Sequence, residues 1–412
     1  MPESQSRLHY SWIVLAVATL VVFASLGLAR FGYTAVLPAM QKGLAIDNTR
    51  AGILATANLT GYLLMALISG ALATRFGPRR VIAAGLALAG VAMALTASAH
   101  SLLSASVWRF LTGAGSGASN VPAMALLSAW FAARLRGSAA GIGVAGSSLA
   151  LIAIGPTAPL ILGASAENGW RLCWLVFGGA ALAVAAVALA FLRDRPAQLG
   201  ILPLGADAGT AAAPPADAAP RWRDVYRGAS VWHLGLVYTA FGFSYIIYMT
   251  FFVKRLMADG GYSREAAGRL FMVMGWASVL CGLIWGSVSD RIGRRGALII
   301  VYVIQAAAFG LFALWPRPAG FVLSAVLFGL TAWSIPAIMA AACGDLLGPR
   351  LAPAALGFIT LFFGVGQAVG PSVAGLLADA SGSFASAFVL ASAVALIGAF
   401  GSAFLRPPRQ QQ

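Results

Sequence analysis

Two arginines stand inside long apolar stretches of this 412-residue chain, where a cation demands a reason. Arg30 lies in "SLGLARFGYTAVLPAM" (25–40) and Arg109 opens "RFLTGAGSGASNVPAM" (109–124). A guanidinium cannot be deprotonated, so burial cannot be eased by neutralisation. Charges at such depth are rare, and they face a bundle interior or a polar pathway. Arg30 has one alternative: it lies beyond the midpoint of its stretch and could snorkel to lipid headgroups. Tyr33, three residues on, shares nearly the same helical face, which a lipid-facing arginine would not require. We therefore expect Arg30 to face a cavity. Arg109 falls about 10 Å into its helix if that helix starts near Leu102 and rises 1.5 Å per residue. It can be either a cavity-side charge or a strut satisfied by backbone carbonyls. Asn120 needs a partner for its carboxamide, by lining a cavity or by joining two helices.

The elements that must position these residues are membrane helices. Hydrophobic residues make up 60% of the chain and charged residues only 9%, against roughly 25% charged in ordinary soluble domains. Twelve stretches are long enough to span a bilayer: 11–37, 51–73, 80–99, 102–128, 138–163, 170–192, 230–253, 268–288, 297–315, 319–343, 354–378 and 384–405. The first is too long for a cleavable signal peptide. The net charge of +15 follows topology rather than nucleic-acid binding. If the N-terminus is cytoplasmic, inner segments hold seventeen Lys and Arg and outer segments eight. Basic short loops stay in the cytoplasm, so both termini are expected there, in a cell (inner) membrane. Cys173, Cys281 and Cys343 sit in apolar helices without metal-ligand spacing and read as reduced, buried thiols.

Between the sixth and seventh stretches, residues 193–228 turn rich in Pro, Ala and Asp and read as a cytoplasmic linker. It separates an N-terminal six-helix bundle (1–192) from a C-terminal one (229–412). An internal repeat agrees. "GALATRFGPRR" (70–80) returns as "GSVSDRIGRRG" (286–296), an offset of 216. "FLTG" ending at Gly113 matches "VLFG" ending at Gly329, and Gly155-Pro156 matches Gly370-Pro371. Shifted by 215, Gly27, Arg30 and Tyr33 fall on Gly242, Tyr245 and Tyr248. Parallel repeats of this kind are a transporter architecture with the site between halves.

These residues resemble the major facilitator superfamily over essentially the whole chain. Its loop signature is kept as Gly286, Asp290, Arg291, Gly293, Arg294 and Arg295, and in the first half as Gly70, Leu72, Arg75, Gly77, Arg79 and Arg80, with Thr74 in place of the acid. Its fourth-helix pattern is Arg109, Gly113 and Gly115. "WFAARLRGSAAGIGVAGSS" and "RDRPAQLGILPLG" are similar to the monocarboxylate and oxalate/formate carrier branch, and "GLARFGYTAVLP" to the bacterial YbfB/YjiJ group. The resemblance implies an all-α membrane protein of twelve helices in two pseudo-symmetric bundles. It implies that Arg109 affects ion coupling. Asp290, Arg291, Arg294, Arg75 and Arg79 then form gating latches, because an acid near a helix end can pair with arginines or cap a neighbour. Two departures stand out: "LFMVMGWASVLCGLIWG" (270–286) of the eighth stretch has no arginine and the eleventh stretch no lysine, where carriers of that branch often hold charge.

All twelve Asp and Glu fall in loops or at helix ends, so the cavity lacks the embedded carboxylate common in proton-driven multidrug exporters of the superfamily. What remains for its lining is Arg30, Tyr33, Asn120, Tyr245, Tyr248 and Gln367 or Gln305. Such a pocket is positive and suits a small carboxylate held by Arg. The expectation is a secondary transporter of a small organic anion, a monomer among membrane lipids, coupled to protons or to anion exchange. Efflux of amphipathic compounds is the alternative, favoured by the many aromatics. An enzyme reading fails: Gly146-Ser147-Ser148 lacks the glycine an intramembrane serine protease requires, and His9, His100 and His233 lie near helix ends. A sensor would need a signalling domain. No cofactor, metal or nucleic-acid partner is expected.

Overall fold

In the computed structural model, which describes residues 9–165, 167–206 and 222–405, regular structure is almost wholly helical. The helices follow the apolar stretches. The first half holds α1 (Ser11–Leu44), α2 (Asn48–Phe76), α3 (Pro78–Thr96), α4 (Leu102–Trp130), α5 (Ala133–Gly163) and α6 (Gly169–Phe191). The second opens with α7 (Ala229–Ala258). A helix Arg264–Ser278 resumes after a short irregularity as Cys281–Leu314, which breaks at Gly293. The part before Gly293 completes α8, and 294–314 is α9. Then follow α10 (Pro318–Leu347), α11 (Ala354–Ser381) and α12 (Ala385–Ala403). Among the described residues, ten segments are long and apolar enough to cross a membrane; α4 is not among them, and the Arg264–Ser278 part of α8 has only 15 residues. Of the segment 193–228, residues 207–221 lie outside the described residues, as do Arg7, Arg406 and Arg409.

The repeat is visible in backbone geometry. Gly77 (φ 86°) and Gly293 (φ 82°) are related by the offset of 216, and each turns the chain between consecutive helices. Only glycine adopts that region without strain. Gly113 brings α4 onto the Asn58 carbonyl of α2, while its counterpart Gly329 brings α10 onto Met274 of α8. Small residues permit such approach where packing, rather than water exclusion, drives association.

Helix ends distinguish the two faces of the molecule. On the side away from the linker, α2 meets α11 and α5 meets α8 closely. A Cβ on Gly155 would stand 2.6 Å from the Gly268 carbonyl, and Thr56 Oγ1 donates to Ala368 O at 2.6 Å. Asp379 at the end of α11 caps the other half: it accepts from Asn48 N (3.2 Å) and Nδ2 (2.8 Å), and from Thr49 N (2.7 Å) and Oγ1 (2.6 Å). On the linker side the same helices diverge. Gly70, Gly137, Gly286 and Gly357 have no atom within 4 Å of where a Cβ would stand. The molecule is sealed on the far side and parted on the linker side.

Candidate functional site

Arg30 enters the site from an unusual stretch of α1. Residues Phe23–Phe31 form a π-helix between two α-helical parts. π segments within α-helices are frequent at functional sites, and they displace carbonyls from the regular ladder. Here α4 supplies partners for them. Arg109 Nη1 donates to Ala29 O at 2.9 Å, and Ser116 Oγ donates to Ser25 O. The residue immediately after the anchored Ala29 is Arg30.

Arg30 is only 8% exposed and lies between the halves, not among headgroups, which removes the snorkelling alternative. Its Nη1 donates to Tyr245 Oη at 3.3 Å. The 215-residue offset thus brings equivalent positions of α1 and α7 face to face, as does Thr34 Oγ1 donating to Met249 O at 2.6 Å. Tyr245 is set by stacking on Phe241 and Phe363, with centroids 4.6 and 5.9 Å away, and Gln367 Nε2 of α11 also donates to its hydroxyl. Below the guanidinium lies the Tyr62 ring of α2, its centroid 4.4 Å from Arg30 Cζ. Tyr62 Oη accepts from Asn120 Nδ2 of α4 at 3.0 Å. Gly117 makes that reach possible, since a Cβ there would stand 2.5 Å from Tyr62 O. Asn120 therefore both joins α4 to α2 and borders the site.

One edge of Arg30 is left over. Nε and Nη2 are buried and have no hydrogen-bond partner among the described residues, and neither has Asn120 Oδ1. No Asp or Glu is buried among the described residues, so no acid can neutralise the cation.

Two expected members belong elsewhere. Tyr33 is buried, but its hydroxyl donates to Ala51 O at 2.8 Å and its ring lies 4.9 Å from Arg109 Cζ. Tyr248 shares its hydroxyl's bond with Ser324 Oγ at 2.7 Å, inside a cluster of Phe252, Phe309, Phe312, Phe328 and Phe388. Both serve their own bundle's core. Gln305 bonds Thr331 O at 3.1 Å and fastens α9 to α10. Tyr62 is the member that the sequence did not single out. The polar group of Asn120, on the face of α4 carrying Gly113 and Gly117, was the available pointer to it.

Arg109 is enclosed. Its guanidinium stands 4.9 Å and 4.8 Å from the Tyr33 and Trp174 rings, and it is 1% exposed. The latch residues lie on the linker side. Arg294 bonds Asp290, Ser289 Oγ (2.6 Å) and Asp345 Oδ2 (2.8 Å), all in the second half. Arg291 is exposed. In the first half, Arg79 donates its backbone N–H to Asp194 Oδ1 at 2.8 Å, while Arg75 is exposed beside Phe76. Asp194 thus provides the acid that Thr74 does not. In this state none of these bonds joins the two halves. A cavity of about 520 Å³ opens beside them, lined by His233, Asp290, Arg294 and Asp345, away from Arg30.

The family described as the uncharacterised MFS-type transporter YbfB matches residues 22–402. Among curated relatives, a probable sulfoacetate transporter of Cupriavidus necator is 26% identical, covering 98% of this chain and 95% of that one. A putative tartrate transporter of Agrobacterium vitis is 27% identical over 94% and 88% of the two chains. The crystal structure of a D-xylose–proton symporter superposes with a TM-score of 0.76 at 14% identity, covering 98% of this chain and 99% of that one, and shows the shared fold.

Proposed function

We propose, for a chain that belongs to the MFS transporter family of the uncharacterised YbfB, that it carries a small organic anion, with Arg30 as the group that holds it. As a member of that family it is a multi-pass membrane transporter and not an enzyme. The observation that carries the anion reading is the open Nε–Nη2 edge of Arg30 between the halves. Those two N–H groups point the same way within the guanidinium plane, and a carboxylate or sulfonate accepts both at once. The names of the relatives agree, since sulfoacetate and tartrate are organic anions. An anion on that edge also bridges the halves through Arg30 and Tyr245, so its binding is coupled to their relative position.

Movement follows from alternating closure. The far side is sealed by Asp379 on Asn48 and Thr49, so the site exchanges with the linker side, which the basic inner segments assign to the cytoplasm. An inside-negative potential opposes anion entry by about 2.3 kcal/mol per charge per 100 mV. With no buried acid among the described residues, uptake draws on a proton carried with the substrate or on a counter-anion. Transport of radiolabelled tartrate by proteoliposomes tests the reading. Wild-type protein should take it up with lumenal acidification or in exchange for an internal carboxylate. Arg30→Lys should fold and lose uptake, because an ammonium cannot reproduce the bidentate edge. Near-normal uptake by Arg30→Lys, or uptake driven by sodium alone, contradicts the proposal.

A further inference from the structure

We infer that the transported anion is a hydroxycarboxylate, whose carboxylate takes the Nε–Nη2 edge of Arg30 and whose hydroxyl lies between Asn120 and Tyr62. This inference rests on the anion reading above and narrows it to a substrate class. Among the described residues, three buried polar atoms at the site lack partners: Arg30 Nε, Arg30 Nη2 and Asn120 Oδ1. The first two are donors and the third is an acceptor. A plain carboxylate satisfies the donors only. It leaves Asn120 Oδ1 buried and unpaired, which carries the full desolvation penalty of that group.

The two orphaned groups are neighbours through one side chain. Tyr62 places its ring face on the guanidinium at 4.4 Å and its hydroxyl on the Asn120 amide at 3.0 Å. Because Tyr62 Oη accepts from Asn120, its own proton stays available to donate. The far wall of the site therefore offers one acceptor, Asn120 Oδ1, and one donor, the Tyr62 O–H. A hydroxyl both donates and accepts, so it answers both. A methyl group answers neither, and a second carboxylate only accepts. Asn120 and Arg30 are each 8% exposed, so water is a poor competitor for either. A site whose buried polar groups match a substrate hydroxyl rejects the analogue lacking it, because those groups are then stranded.

Matched pairs of ligands test this on detergent-purified full-length protein, read by calorimetry and by thermal shift. The pairs are lactate with propionate, malate with succinate, and gluconate with hexanoate. At least one hydroxy acid should bind about tenfold or more tightly than its deoxy partner. Asn120→Leu should bring that ratio to near one while Arg30-dependent binding of the deoxy acid persists. Tyr62→Phe, which keeps the ring under Arg30, should reduce the ratio without abolishing binding. Equal binding within every pair, lost in Arg30→Lys, overturns the hydroxyl inference and leaves the anion reading standing. Absence of binding by every acid overturns both. Tighter succinate than malate assigns the Asn120 side to a second anionic group and also overturns the inference. Should Asn120→Leu fail to fold, the wild-type ratios alone decide.

Discussion

Arg30 and Arg109 are both buried membrane arginines of the first half, yet their surroundings assign them opposite duties. Arg109 is enclosed by Tyr33 and Trp174 and bonded to the Ala29 carbonyl. Its charge is held within its own bundle, where Nε is buried without a hydrogen-bond partner among the described residues but no edge faces the other half. Arg30 has one bond to Tyr245 across the halves, one ring beneath it, and an edge that nothing in the described protein answers. An arginine enclosed by the rings and main chain of its own bundle acts as a strut. One left unpaired at the interface of two moving bodies is available to a ligand. The two are also linked in series, because Arg109 anchors the residue before Arg30 and so fixes where its guanidinium stands.

That contrast is easiest to break through stability. Unliganded Arg109→Leu should melt well below wild type. It loses two cation–π contacts, each about 0.5–2 kcal/mol when desolvated, and strands the Ala29 carbonyl at about 1–3 kcal/mol. Arg30→Leu should melt at or above wild type, since it removes a buried cation with unsatisfied donors. A lower melting temperature for Arg30→Leu than for Arg109→Leu in differential scanning fluorimetry reverses the assignment of roles.

A smaller effect is expected at the far-side seal. An amide has one acceptor oxygen, so Asp379→Asn can keep at most two of the four bonds from Asn48 and Thr49. The population should move away from the far-side-closed state. A cysteine placed at Gly357, on the parted linker side, should then react several-fold more slowly with a membrane-impermeant maleimide; the three native cysteines are buried and form no disulfide. An unchanged rate removes Asp379 from the gate.

The smallest effect on binding belongs to the linker-side latch. Asp290→Asn leaves Arg294 its bond to Asp345 and lies away from Arg30. Transport rate should fall several-fold at unchanged Kd, because the latch acts on passage between states and not on the pocket. Equal loss of rate and affinity places Asp290 in the site instead.

Helix positions are legible in the sequence because lipid imposes an unbroken apolar length, and most ends agree to within a few residues. The first helix is the main exception. Pro38 invites a stop near Leu37, but the helix continues to Leu44 and ends at Ala45 with φ 51°. A membrane helix tolerates an internal proline when neighbours satisfy the freed backbone groups. Similarly, α7 runs to Ala258, so Arg255 is no loop charge: it is buried, paired with Asp259 and bonded to Ala313 O at 3.0 Å.

The site was legible where the repeat pointed and obscure where it did not. An offset of 215 predicts that Arg30 and Tyr245 share a pseudo-symmetric face, and they meet. Spacing from Arg30 nominated Tyr33 and the same offset nominated Tyr248; both turn into their own bundles. Three residues along an α-helix is a rotation of about 300°, enough to leave an interface. The π segment changes the rotation in α1 further, and no residue type in "FASLGLARF" announces it. Tyr62 shifted by 216 falls on Ser278, so the repeat gave no pointer to it.

Whether Arg30 is held unpaired for an anion is tested most directly by calorimetric titration of malate into wild type, Arg30→Lys and Arg109→Lys, each checked for folding. Wild type should bind, Arg30→Lys should lose about a hundredfold or more, and any folded Arg109→Lys should lose less. Arg30→Lys binding as tightly as wild type, or losing less than Arg109→Lys, would contradict the account.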